Sequence, residues 1–119
     1  MEKIKHLTKA QHNEDFFNSF DADKTRFRDW IVVGIFYTAV HYYESYFANF
    51  NRHSRSHDIC DDWILNDKAI DSTYEDYREL KQYRWHASYR SKNFSSHEIK
   101  NNILPKLKSI KTGLQNLSP

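Results

Sequence analysis

Between Trp30 and Tyr43 the chain is apolar or aromatic on nearly every side of a would-be helix. A helix without a polar face cannot lie on a surface, so this segment belongs at the centre of a helical assembly. Yet it carries His41 and, one turn on, Glu44. Polar groups in such a place cost free energy unless they are paired. Tyr37, His41 and Glu44 stand at positions i−4, i and i+3, the spacing at which side chains on one helix face can touch. They form either a buried polar network that specifies packing or an acid–base group tuned by Glu44.

Two Gly and two Pro in 119 residues exclude a turn-rich β-protein. The remaining periodicity predicts four further helices. The first runs from about Leu7 to Phe20, with Phe16, Phe17 and Phe20 on one side, and stops at Asp21-Ala22-Asp23. The central helix starts near Thr25, capped by Asp23 or Thr25, and continues to about Asn51, a length of about 40 Å. A polar loop from Asn51 to Ser56 leads to a short helix, about His57 to Asn66. Ser72 and Glu75 form a capping box for a helix ending near Arg90, and Ser95 and Glu98 form a second for the last helix. Pro105 interrupts the final stripe of Ile99, Ile103, Leu107, Ile110 and Leu114, which predicts a kink. The expected fold is an all-α antiparallel four-helix bundle with one additional short helix, a single domain over residues 1–119.

The longest apolar run is too short and too interrupted to span a bilayer, and no signal peptide precedes it. Cys60 is the only cysteine, so no disulfide framework exists and a reducing cytoplasm fits best. The net charge of +2 conceals an asymmetry: residues 1–80 carry ten Lys/Arg against fifteen Asp/Glu, whereas residues 81–119 carry eight against Glu98 alone. Such a basic end attracts phosphate or an acidic partner surface, or is a solvated helix face.

Asp29-Trp30, Phe36-Tyr37-Thr38-Ala39-Val40-His41-Tyr42, the loop histidines His53 and His57, Tyr77-Arg78-Glu79-Leu80 and Ala87-Ser88-Tyr89-Arg90 together resemble the HEPN superfamily of nucleotide-binding helical domains. The likeness covers roughly residues 10–115. Many members are metal-independent RNases carrying an Arg, four to six residues, then a His. The arginine fork holds phosphate and the imidazole moves the 2′-hydroxyl proton. Two spacings fit. Four residues separate Arg52 from His57, with His53 following the arginine; six separate Arg90 from His97, at the start of the last long helix. The resemblance also implies a homodimer along the long helices, and requires neither metal nor cofactor.

Other patterns remain open. Arg84, Trp85, His86, Tyr89 and Arg90 interleave cations with aromatics, as surfaces that stack bases and hold phosphates do; with His53 and Lys92 they are candidate RNA contacts. Alternatively, Trp85 and Tyr89 pack into the bundle while the arginines lie in water. His53 and His57 are spaced for a shared metal, but no good tetrahedral set completes them. Two functional classes follow. One is a small cytoplasmic RNA- or nucleotide-interacting protein of a toxin–antitoxin or defence system, either a binding module or a diverged endoribonuclease. The other is a non-catalytic module holding a cognate protein partner.

Overall fold

The computed structural model describes residues 3–54, 56–89 and 93–116, His57 and Asp58 by their backbone alone. All regular structure among them is helical: α1 (Lys3–Asn18), α2 (Arg28–Ala48), α3 (His57–Asn66), α4 (Tyr74–Tyr89), α5 (Ser96–Glu98) and α6 (Leu104–Gln115). A 3-10 turn, Asp71–Thr73, leads into α4, and a π-helical turn, Ile99–Ile103, joins α5 to α6. None of these helices is long and apolar enough to cross a membrane.

α2 is the axis of the molecule. α1, α4 and α6 all pack on it, and α4 also packs on α6. Ile31, Val32, Ile35, Phe36, Ala39, Tyr43, Tyr46 and Phe47 are buried on it, and the core continues through Ile64, Tyr77, Leu80, Ile103 and Ile110. At Gly34 the crossing with α1 is close: a Cβ there would stand 3.2 Å from that of Phe17. Three tyrosines on α2 bury their rings and send their hydroxyls to other elements. Tyr42 donates to Glu14 on α1 (2.8 Å), Tyr46 to Asp67 (2.9 Å), and Tyr43 to Thr73 Oγ1 (2.6 Å). Because Thr73 donates its own proton to the Ile70 carbonyl, Tyr43→Phe leaves a buried acceptor without its donor. A loss of about 1–2 kcal/mol is expected, read as a lower urea midpoint with an unchanged slope.

The ends of the helices depart from expectation in instructive ways. α2 begins at Arg28 after Phe27, which offers no side-chain cap. Thr25 instead accepts the Phe27 N–H, while Asp23 binds Lys100 (2.7 Å) and the Ser96 hydroxyl across the fold. At the other end Asn51 takes a left-handed conformation (φ 56°), with Arg52 N–H bonded to Phe47 O and Asn51 N–H to Ala48 O. This closes α2 in a Schellman motif, with asparagine where glycine is commoner. α3 has the expected limits, capped by Ser56. Ser95 caps α5 through the Glu98 N–H (3.0 Å), but α4 is entered through the 3-10 turn, which no side chain caps. Pro105 causes no break. The π turn lies just before it, with Leu104 N–H bonded to Ile99 O, so the wider turn absorbs the proline that has no N–H to give.

The charge asymmetry is partly resolved within the chain. Lys81 pairs with Asp61 (2.6 Å), Lys100 with Asp23 (2.7 Å), Lys106 with Glu79 (2.8 Å) and Lys111 with Glu14 (3.3 Å). These pairs join the basic C-terminal third to acidic residues before it. Four of its eight basic residues thus meet acidic partners within the fold.

Candidate functional site: a groove along α2

One stripe of α2 escapes burial. Trp30, Val33, Tyr37, His41 and Glu44 follow the helical repeat and remain partly or largely accessible while the positions between them are covered. Trp30 is 52% exposed. Beside it α1 contributes Lys9, His12, Asn13 and Phe16, which with Trp30, Val33, Gly34, Tyr37 and His41 enclose a groove of about 490 Å³. From Trp30 to His41 the floor runs about 16 Å. It is apolar at the Trp30–Phe16 end and polar at the Lys9–His41 end.

Tyr37 connects the groove to α4. Its hydroxyl accepts from Arg84 (2.9 Å), and the guanidinium carbon lies 5.5 Å from its ring and 5.7 Å from the ring of Tyr89. Tyr89 is 65% exposed and stands 6.0 Å from the half-exposed Trp85. Arg84 Nε is buried and has no hydrogen-bond partner. That nitrogen is sealed from solvent, so what the surface offers a ligand is the cation beside an exposed ring, a pairing that suits a phosphate next to a stacked base.

At the other end His41 Nδ1 meets His6 Nδ1 at 3.2 Å, and His6 Nε2 faces Glu44 Oε2 at 3.6 Å. Glu44 also accepts from the Ser54 hydroxyl. Burial, reinforced by the charge of Lys9, pushes the His6 pKa down to about 4. Burial and the neighbouring His6 lower that of His41 as well, opposed by Glu44. Both imidazoles are therefore neutral at neutral pH. Beyond Ser54 lies Cys60, wholly buried, whose thiol is pushed up to about 12 by burial and by the charges of Glu44 and Asp61.

The expected triad is thus redistributed. Tyr37, His41 and Glu44 do share one stripe, but their partners are Arg84, His6 and Ser54 on other elements. Of the candidate RNA contacts, Arg84 and Tyr89 meet; His53 is exposed near His6; Lys92 lies outside the described residues. Of the candidate catalytic pairs, Arg52 lays its guanidinium over Trp63 (4.1 Å). The His57 side chain lies outside the described part. His97 is exposed and meets Asn101 one turn along (3.1 Å), while Arg90 lies outside the described residues.

His6 escaped the sequence reading because α1 was expected to begin at Leu7, and Lys9 and His12 because only the Phe16, Phe17 and Phe20 side of that helix was singled out. The spacing of three, three and four residues from His6 through Lys9 and His12 to Phe16 is the signal that could have found them. A second cavity, about 420 Å³ and bordered by Thr25, Arg26, Arg28 and Asn93, offers less chemistry. There Arg28 spends its guanidinium on the carbonyls of Ala22 (2.6 Å) and Asp23 (3.1 Å). Among the described residues no three His, Cys, Asp or Glu side chains converge as a metal site. No family model, no curated protein and no solved structure matches the chain.

Proposed function

We propose that the chain is a HEPN-type antiparallel four-helix bundle with one extra short helix that binds single-stranded RNA or a nucleotide along the α2 groove. It acts as a homodimeric cytoplasmic binding module, of the kind used in toxin–antitoxin or defence systems. The observation that carries this reading is Arg84, whose guanidinium lies beside the rings of Tyr37 and the exposed Tyr89, with Trp85 next to Tyr89. The groove floor supplies further aromatic surface at Trp30 and Phe16. A binding role is favoured over cleavage because the described parts of the two Arg–His pairs point to structural uses: Arg52 stacks on Trp63 and His97 bonds to Asn101.

Fluorescence anisotropy with a short labelled single-stranded RNA at low salt tests the proposal. Arg84→Gln is expected to weaken binding about tenfold, the loss of one charge-assisted contact. Tyr89→Ala removes a stacking surface worth about 1–3 kcal/mol. Arg78→Gln, whose arginine pairs with Glu75 on the outer surface of α4, serves as the control and should bind like the wild type. No binding by the wild type, or equal binding by all variants, rejects the groove.

A protein-docking module is the second reading, supported by the cluster of Phe16, Phe20, Phe27 and Trp30, which is almost wholly apolar and largely exposed. No RNA binding together with self-association that Trp30→Ser abolishes in sedimentation would favour it.

A further inference from the structure

We propose that Phe16, Phe20, Phe27 and Trp30 form an aromatic cage for the trimethylammonium group of a small choline-class solute. This site does not depend on RNA binding in the α2 groove, although Phe16 and Trp30 border both. Its ligand class follows from what lines it and from what the lining lacks.

The four rings come from the end of α1, the loop after it and the first turn of α2. Among the described residues they alone line an open depression of about 360 Å³. Phe16, Phe27 and Trp30 are exposed, and Phe20 is half-buried between them. Phe16 and Phe20 meet at 5.3 Å with their planes 82° apart, and Phe20 and Phe27 at 6.2 Å and 60°. Neither pair is stacked, so an occupant meets π density from more than one direction. The Phe27 ring already attracts a cation: the Arg26 guanidinium carbon lies 4.9 Å from its centroid.

No polar side chain stands among the lining residues. A carboxylate, an amide or a primary ammonium seated there would lose its bonds to water and gain none. A hydrocarbon would fit, but walls of leucine or isoleucine would serve it equally. Rings differ from aliphatic walls in the negative charge of their faces, which attracts a cation. The occupant that uses every feature is apolar on its surface, positive overall and free of N–H groups. That is a quaternary ammonium. A lipid headgroup of the same chemistry fits less well, because the exposed Asp21, Lys24 and Arg26 in the same loop would have to enter the bilayer interface with the rings.

The test follows the backbone amides of residues 16–30 by NMR during titration with choline and with its neutral isostere, in which a tert-butyl group replaces trimethylammonium. Ionic strength is held constant. The wild type is expected to bind choline about tenfold more tightly than the isostere. Phe27→Leu and Trp30→Leu each keep an apolar wall but remove a π face, and each should lower that ratio about threefold. Arg26→Gln removes a competing cation and should tighten binding of choline about twofold, but not of the isostere. Equal binding of choline and the isostere, or a preference unchanged in both leucine variants, overturns the cage and leaves the cluster to the protein-docking reading. Amides that respond to neither ligand do the same. Flotation of the protein with phosphatidylcholine vesicles would assign the site to a membrane surface and overturn the free solute.

Discussion

Acidification is expected to destabilise this protein through His6, by about 3 kcal/mol between neutral pH and pH 4. The sign follows from where the proton goes. In the unfolded chain His6 has its ordinary value of 6.5, whereas burial lowers it to about 4 in the folded state. Between those values the unfolded chain binds a proton that the folded one refuses. Stability from this source is fully present above pH 6.5 and is lost as pH falls through about 4. His41 acts in the same direction, since its pKa is also lowered. Carboxylates titrate in part of this window, so the informative quantity is the difference between wild type and His6→Leu. Urea midpoints should fall more steeply with acid for the wild type than for the variant between pH 6.5 and 4. Parallel curves would mean that His6 is not held neutral by the fold.

Phe36→Ala is expected to cost about 3–5 kcal/mol, enough to leave little folded protein at moderate temperature. The Phe36 side chain is 1% exposed, with the Tyr77 ring at 5.9 Å, and removing it opens a cavity that α4 cannot close. Trp30→Ala, on the open stripe of the same helix, removes a larger side chain but should change stability by about 1 kcal/mol or less. Thermal melts of the two variants fix the rotation of α2 about its axis. A Trp30→Ala loss as large as that of Phe36→Ala would mean that the stripe is covered and the groove does not exist.

That contrast also marks what could be read from the residues alone. The central placement of α2 was legible, because an apolar segment with no polar side has one place to go. So were the limits of α3 and the cap at Ser95, where local chemistry decides. The direction of the open stripe was not legible: Trp30, Val33 and Tyr37 are as apolar as the residues they alternate with, and only the packing of α1 and α4 leaves them accessible. The partners of His41 and Glu44 were hidden for a similar reason. Spacing along one helix identifies neighbours on that helix, but His6 is 35 positions away. For the basic C-terminal third, composition carries no information on pairing; Asp23, Glu79 and Glu14 meet its lysines only through the fold.

The sealed position of Cys60 makes the molecule its own opening clock. It is the sole cysteine, and it sits on α3 without solvent contact. An alkylating reagent requires an accessible thiolate, so in native buffer it can react only during excursions that lift α3 from the core or open the core beneath it. The labelling rate, divided by that of the unfolded chain, then reports how often that packing opens. The same barrier protects the thiol from oxidants while the protein stays folded.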